Sequence, residues 1–470
     1  MSRSRAAFTF AAAGALFAVA RQTSAPLLPD DWDGIGFVES IGRFDLDHFQ
    51  PHAPGYPVYV GMLKLAALVL GSPLLAANVV AVQCGVGATL LALLAAARVL
   101  GTGRATWIAA FVAVVPLAWR AGTAIGSEAP ALLFACAAVY AATRDGPRAP
   151  LWLGAAAGLG LGVRLSWAPL YLALLFLAAR GQRARAAAAC AIATLTWLVP
   201  FVALVGPHHL VALARVHASG HFHLWGGSAI VEPGPMRLAW LARDLFVDGL
   251  GAGGDTLGIG IGVLTAFLAL AGALAWRDRG YPHARVALVI LLPYAAWIAL
   301  GQNVHEQPRH ALPLVVALAA ALGLAATTSR GARSAGAVLF ALVAMRTSAD
   351  AHDRRTILPP GAQLVELAQR VAAESHARVA AFGGPSARFF ELAPSPDAVG
   401  FTVATLGEAN LALGRVDRSP SRALVTSEVL DLPAPSPTFS RVATLCRPPR
   451  IDRRASCIDV YDWKSTMLAP

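Results

Sequence analysis

The residues able to do chemistry fall in four stretches, each set between apolar runs. The first, residues 21–73, contains PDDWDGIGFVES and carries Asp30, Asp31, Asp33, Glu39, Asp45 and Asp47 beside His48 and His52. Carboxylates crowded this way repel one another unless a cation or a proton-transfer step uses them; a solvated acidic loop is the plain alternative. The second, residues 120–128, flanks a short polar turn with Arg120 and Glu128. A helix N-terminus favours Glu128, and Ser127 could cap it, so a purely local explanation is at hand. The third, residues 206–254, reads HASGHFHLWGG in part. Its His217 and His221 would share a helical face as zinc pairs do, but Gly220 opposes a stable helix, and lining of a groove outweighs metal binding. Trp225 and Trp240 also suit an interfacial belt. The fourth, residues 302–310, gathers His305, Arg309 and His310 directly before an apolar run. Arginine offers a rigid fork of donors matched to phosphate oxygens, so this cluster points to an anionic headgroup, with a plain interfacial anchor as the alternative.

Composition says what must position these stretches. Of 470 residues, 56% are hydrophobic and 14% charged, and the mean hydropathy is +0.58. Soluble domains carry roughly 25% charged residues, so the chain reads as a polytopic membrane protein, and disordered, collagen-like and disulfide-scaffold classes are excluded. The net charge of +11 does not describe a nucleic-acid face, because the arginines come in short groups between apolar runs. Arg3/Arg5, Arg98/Arg104, Arg144/Arg148, Arg180/Arg183/Arg185, Arg277/Arg279/Arg285 and Arg330/Arg333 mark cytoplasmic loops by the positive-inside rule. The four chemical stretches alternate with them and so lie together on the outer face. The alternation closes with about eleven spans, near 6–20, 74–97, 106–119, 129–143, 150–164, 166–179, 186–205, 256–276, 286–301, 311–328 and 334–347. The N-terminus is then inside, and Ala6–Ala20 is an uncleaved first span. Tyr56–Gly71, interrupted by Lys64, is placed as an interfacial helix. Arg164 falls within or beside a span, where a charge costs roughly 2.5–3.5 kcal/mol, and so needs a wet cavity or a partner.

Residues 348–470 read differently. Gly361–Ser375 has helical spacing, and Arg378–Phe382, Arg422–Thr426, Phe439–Cys446 and Cys457–Tyr461 read as strands. Cys446 and Cys457 suit a hairpin disulfide in an oxidising compartment, whereas Cys84, Cys136 and Cys190 sit in apolar runs as small hydrophobes. Arg447–Arg454 reads as a solvated basic loop. The expected fold class is mainly α: a polytopic membrane helix bundle over 1–347 with a small C-terminal α/β extracytoplasmic domain over 348–470.

Three short motifs follow one another on the outer side. Asp33 is followed four residues on by Phe37 and then by the Pro-rich His52–Tyr59 leading into an apolar helix. Arg120 precedes Glu128, and Arg309, His310, Leu312 and Pro313 precede a late helix. In this order they resemble the C-type superfamily of integral-membrane glycosyltransferases, especially the protein O-mannosyltransferase and aminoarabinose transferase branch. The resemblance extends to about residue 328. Two positions depart: Gly34 stands where the family often has Glu, so Asp30, Asp31 and Asp33 all stay open as the base, and Glu128 stands where Asp is common, which argues against strict use of a metal there.

The resemblance implies a hexose or pentose carried on a polyprenyl phosphate and attacked at its anomeric carbon by an acceptor hydroxyl. That step needs a carboxylate for the proton and cations for the departing phosphate. Asp33 is the expected base and Glu128 its support or an acceptor-positioning group. Arg309, with His310 or His305 and assisted by Arg120, would hold the phosphate, and Asp31, His52 and Tyr56 would contact substrate. The implied partners are the lipid-linked donor, a glycan, lipid or protein acceptor, and the bilayer. No cofactor is demanded, and a divalent metal ion stays open. The implied location is a bacterial inner membrane with the C-terminal domain periplasmic. A lipid-linked glycan ligase or polymerase needs the same cations; a transporter would instead place its polar groups near the bilayer midplane.

Overall fold

The computed structural model describes residues 3–224, 226–279, 282–413, 420, 422–430, 438–448 and 457–463. The chain divides into two compact units, one of residues 1–25 and 37–352, the other of residues 26–36 and 353–470.

The first unit is helical. Its helices are α1 (Arg3–Ser24), the end of α2 (Trp32–Glu39), α3 (Pro57–Leu70), α4 (Pro73–Leu100), α5 (Thr102–Val114), α6 (Pro116–Ala121), α7 (Glu128–Ala142) and α8 (Ala149–Val163). They continue with α9 (Ala168–Leu174), α10 (Arg183–Val205), α11 (Pro207–His223), α12 (Met236–Arg243), α13 (Thr256–Arg279), α14 (Pro282–Gly301), α15 (Leu312–Ala325) and most of α16 (Arg330–Thr356). Four stretches are long and apolar enough to cross a membrane: Pro73–Leu100, Arg180–Val205, Thr256–Arg277 and Pro308–Ala325. Six shorter apolar helices of 10–17 residues accompany them among the described residues.

Local chemistry sets the boundaries. Gly71 ends α3 at φ 71°, the left-handed conformation that a side chain resists. Ser72 then accepts from the Leu75 amide at 3.4 Å and Pro73 supplies the first helical residue of α4. Val115 is extended before Pro116 and separates α5 from α6. The span expected at 166–179 is interrupted: 3-10 turns at Leu165–Trp167 and Leu175–Leu177 bracket a short α9, whose Pro169 cannot donate to a continuing helix. On α3, Leu65, Leu68 and Val69 are exposed while Tyr59, Val60 and Leu63 are buried, an apolar outer face that suits contact with lipid.

Helices α8 and α10 approach closely because α8 is lined with glycine. A Cβ on Gly154 or Gly158 would collide with the Ala186 or Cys190 carbonyl, and Trp197 donates its indole N–H to the Gly158 carbonyl at 2.9 Å. Small residues four apart let two membrane helices touch along their backbones.

The second unit is an α/β layer structure. Its strands are β1 (Val379–Gly383), β2 (Ala398–Thr402), β3 (Arg422–Thr426), β4 (Phe439–Cys446) and β5 (Cys457–Trp463), with α17 (Pro360–Ser375) and α18 (Leu406–Leu413). The order is β2-β1-β3-β5-β4; β1 is parallel to β2 and β3, while β5 is antiparallel to β3 and β4. Alternation along the strands builds two cores. Ala381, Leu424, Ile458 and Val460 pack with Leu364, Val365 and Ala368 of α17, and Phe382, Val425, Phe439 and Trp463 pack with Ala409 and Leu413. Cys446 pairs with Cys457 in register and is joined to it by a disulfide. Ile35, fully buried, belongs to the α17-side core, and Leu28 packs against it. Strand β2 and helix α18 are additions to the elements expected from sequence.

Candidate active site

All four chemical stretches have members in the first unit that can be built up from their backbone positions. Glu128 opens α7, and Arg164 follows α8 in an extended conformation that turns its side chain out of the helical register. Ser127 does not cap α7, contrary to expectation. It accepts instead from Arg164 at 2.7 Å, and the same guanidinium nitrogen donates to Glu128 Oε1 at 2.8 Å. The second terminal nitrogen of Arg164 lies 3.5 Å from His310 Nδ1. Arg309 and His310 sit in a 3-10 turn, Pro308–Ala311, that leads into α15. Arg309 Nε lies 3.6 Å from Glu128 Oε1, and the Tyr294 hydroxyl donates to the His310 carbonyl at 2.8 Å.

The two arginines differ in exposure. Arg164 and Glu128 side chains are 6% and 8% exposed, while Arg309 is 26% exposed. Arg164 is thus the buried counter-ion that its place near a span required, and Arg309 retains surface for an anion. Glu128, Arg309 and His310 come together as the sequence suggested, and Arg164 completes the group. Its signal was visible as a lone charge in an apolar run, but nothing in the sequence named its partner.

His305 stands apart from this group. Its ring stacks on Trp240 at 4.3 Å, and Nδ1 lies 3.4 Å from Glu232. Nearby, Arg237, which the sequence gave no reason to single out, donates to the carbonyls of Gly227, Gln302 and Ala299 at 2.7, 2.7 and 2.8 Å. It ties the third chemical stretch to the fourth. Burial lowers its pKa, with Glu232 acting in the opposite direction. Trp225 lies outside the described residues.

His52 and Tyr56 meet through a 2.8 Å contact between Nε2 and the phenol oxygen. Phe37 packs on both rings and on Tyr59, with centroids at 5.6, 5.0 and 4.9 Å. The expected interruption at Gly220 does not occur: α11 runs through it, and His217 and His221 stack on one face with centroids 6.2 Å apart. His221 Nε2 faces the Gly301 carbonyl at 2.6 Å and so is the protonated nitrogen. Burial, then the neighbouring His52 and His221, lowers the pKa of His217 to about 4. No group of three His, Cys, Asp or Glu placed to hold a metal ion occurs among the described residues.

The three candidate aspartates belong to the second unit. Asp30 is buried between two arginines, with Arg354 at 2.5 Å and Arg447 at 2.9 Å. Arg447 also donates to the Arg354 carbonyl at 2.7 Å. The expectation of a solvated Arg447–Arg454 loop is therefore corrected at Arg447, whose side chain is fully buried; residues 449–454 lie outside the described residues. Asp31 accepts from the Gly34 amide at 3.0 Å, which fixes the start of α2. Asp33, in the first turn of that helix, is buried.

A family model described as dolichyl-phosphate-mannose-protein mannosyltransferase matches residues 51–209, which include His52, Tyr56, Arg120, Glu128 and Arg164. Among solved structures, ArnT from Cupriavidus metallidurans bound to undecaprenyl phosphate is similar over 100% of both chains, with a TM-score of 0.59 and 12% identity. The fold is that of the C-type membrane glycosyltransferases. The Archaeoglobus fulgidus oligosaccharyltransferase shares this C-type fold over 88% of this chain and 67% of its own, at a TM-score of 0.53 and 13% identity. The arabinofuranosyltransferase AftD from Mycobacteria matches over 99% of this chain but 40% of its own, at a TM-score of 0.53 and 14% identity. No curated protein sequence gives a significant match. The C-type fold and the apolar helices make this an integral membrane protein, resembling the mannosyltransferase and ArnT branch.

Proposed function

We propose that the protein transfers a sugar from a polyprenyl-phosphate donor to an acceptor hydroxyl on the outer face of the membrane. The observation that supports this most is the cationic group of Arg309, His310 and Arg164 around Glu128, directly ahead of the apolar helix α15. An arginine that is partly exposed and held by a buried carboxylate presents donors already oriented for a lipid phosphate. In this reading Arg309 and His310 bind the phosphate, and Arg120 assists. Glu128 orients Arg309, and His52, Tyr56 and Asp31 contact substrate. Asp33 takes the proton from the acceptor hydroxyl as its oxygen attacks the anomeric carbon. The bond from that carbon to the phosphate oxygen breaks, and the lipid phosphate leaves. One displacement inverts the anomeric centre.

The same reading places about eleven spans in a bacterial inner membrane, with residues 1–347 as the transferase module and 348–470 as a periplasmic domain. Asp30 is bound to two buried arginines and Asp31 accepts from the Gly34 amide; the spacing of Asp33 and Phe37 ahead of the Pro-rich His52–Tyr59 is what supports Asp33 as the base. The test uses radiolabelled polyprenyl-phosphate mannose, glucose and arabinose-type donors with membranes containing the protein. Transfer should appear with one donor class, vanish in Asp33→Asn, and leave undecaprenyl phosphate binding intact. Arg309→Ala should weaken that binding at least tenfold. Wild-type transfer by D33N would remove Asp33 from the base role, and no transfer from any donor would remove the transferase reading.

A further inference from the structure

The segment that carries Asp33 is not a loop of the helical unit. Residues 26–36 are built into the second unit by contacts on both sides of Asp33. On the N-terminal side, Leu28 packs against the α17 core, and Asp30 is gripped by Arg354 and Arg447. On the C-terminal side, Ile35 is fully buried among Leu364, Ala368, Ile458 and Val460. Between them, Arg388 donates to the Trp32 carbonyl at 3.4 Å.

Two features make the grip on Asp30 more than packing. Each carboxylate oxygen has its own guanidinium, and Arg447 is braced in turn on the Arg354 carbonyl, so the three residues form one connected group. Arg447 also directly follows the Cys446–Cys457 disulfide, which closes the β4–β5 pair, and Gln363 of α17 donates to the Cys446 carbonyl at 3.0 Å. The covalent link therefore fixes the backbone from which Arg447 reaches Asp30.

We infer that the second unit is a positioning domain for Asp33, acting through Arg354 and Arg447 on Asp30. This rests on the assignment of Asp33 as the base. Asp30 is three residues from Asp33 and Ile35 two, so a base held between them has little freedom in its backbone. Misplacement of a catalytic group by about 1 Å costs on the order of 100-fold in rate.

The experiment uses the full-length protein in nanodiscs with Asp30→Asn, Arg447→Met and Arg447→Lys. Hydrogen exchange is followed at residues 31–35 and, as an internal standard, in β1 and β3. Transfer is measured with whichever labelled polyprenyl-phosphate sugar is active, and undecaprenyl phosphate binding is measured separately. R447M should speed exchange at 31–35 at least tenfold while β1 and β3 keep their protection. Transfer should fall about 100-fold, binding should change less than twofold, and R447K should recover part of the rate. If R447M also loses strand protection, D30N, which keeps the side-chain volume, decides by the same readings. Unchanged exchange at 31–35, or loosened exchange with wild-type transfer, overturns the inference. D33N separates the two readings: full transfer there defeats the base assignment, while the exchange data still judge the tether.

Discussion

Replacing Arg164 by Met would test whether Glu128 is held by a buried counter-ion. Glu128 Oε1 lies 2.8 Å from Arg164 and 3.6 Å from Arg309. At an effective dielectric of about 20, unit charges at these separations attract by about 6 and about 5 kcal/mol before desolvation is counted. The Arg309 share is screened further, because its side chain is 26% exposed. Leaving a buried charge without its partner costs about 3–5 kcal/mol, and Arg309 offsets part of that for Glu128. We therefore expect R164M to destabilise the protein by about 3 kcal/mol, the low end of that range. Glu128→Gln should cost a similar amount, since it leaves Arg164 buried without an anion. The double variant should cost well below the sum, with a coupling of at least ~2 kcal/mol, because removing both charges is often close to neutral. Equilibrium unfolding in mixed micelles, followed by the fluorescence of the 11 tryptophans, supplies the three free energies. Additive losses, within about 0.5 kcal/mol, would refute the ion pair as an energetic unit.

The pKa of His217 is held at about 4, against 6.5 for an unperturbed ring. Between these values the unfolded chain binds more protons, so stability should fall as pH drops from 6.5 towards 4 and be flat above 6.5. His217→Gln should reduce that slope in a series of thermal midpoints, and an unchanged slope would remove His217 as its source. Gly158→Leu should separate α8 from α10 and cost about 1–3 kcal/mol; an unaltered midpoint would mean the close approach carries no energy. Serine at both Cys446 and Cys457 opens a loop with a separation of 11 residues, for which chain entropy gives about 3 kcal/mol. Loss of protection should be largest in β4 and β5, and uniform loss across the second unit would argue against a local clamp.

What could be read from the sequence depended on how local its cause was. Strands β3 and β4 stand at the expected residues because alternation and flanking turns announce them within a few positions. The short β2, AVGFT, contains a glycine and has little alternation; pairing with β1 creates it, and no local pattern does. Glu128, Arg309 and His310 were legible as chemistry, since charged residues beside apolar runs need a reason. The Arg164–Glu128 pair spans 36 residues of sequence, and no spacing rule reaches that far. The same limit hid the fate of residues 26–36, whose acidic composition says nothing of arginines more than three hundred positions away. Helix α11 continues through Gly220 for a different reason: one glycine costs a helix only about 1 kcal/mol, which neighbouring contacts such as that of His221 with Gly301 can outweigh.

The buried triad also sets an order of events during synthesis. Asp30 precedes Arg354 by 324 residues and Arg447 by 417. At about 5–20 residues per second, a nascent chain carries that carboxylate for roughly 20–80 s before its last counter-ion has been translated. A nascent chain translated only as far as Cys446 therefore carries all four long apolar stretches and Arg354 yet lacks the second arginine of the clasp on its acidic segment, so that clasp closes late in synthesis.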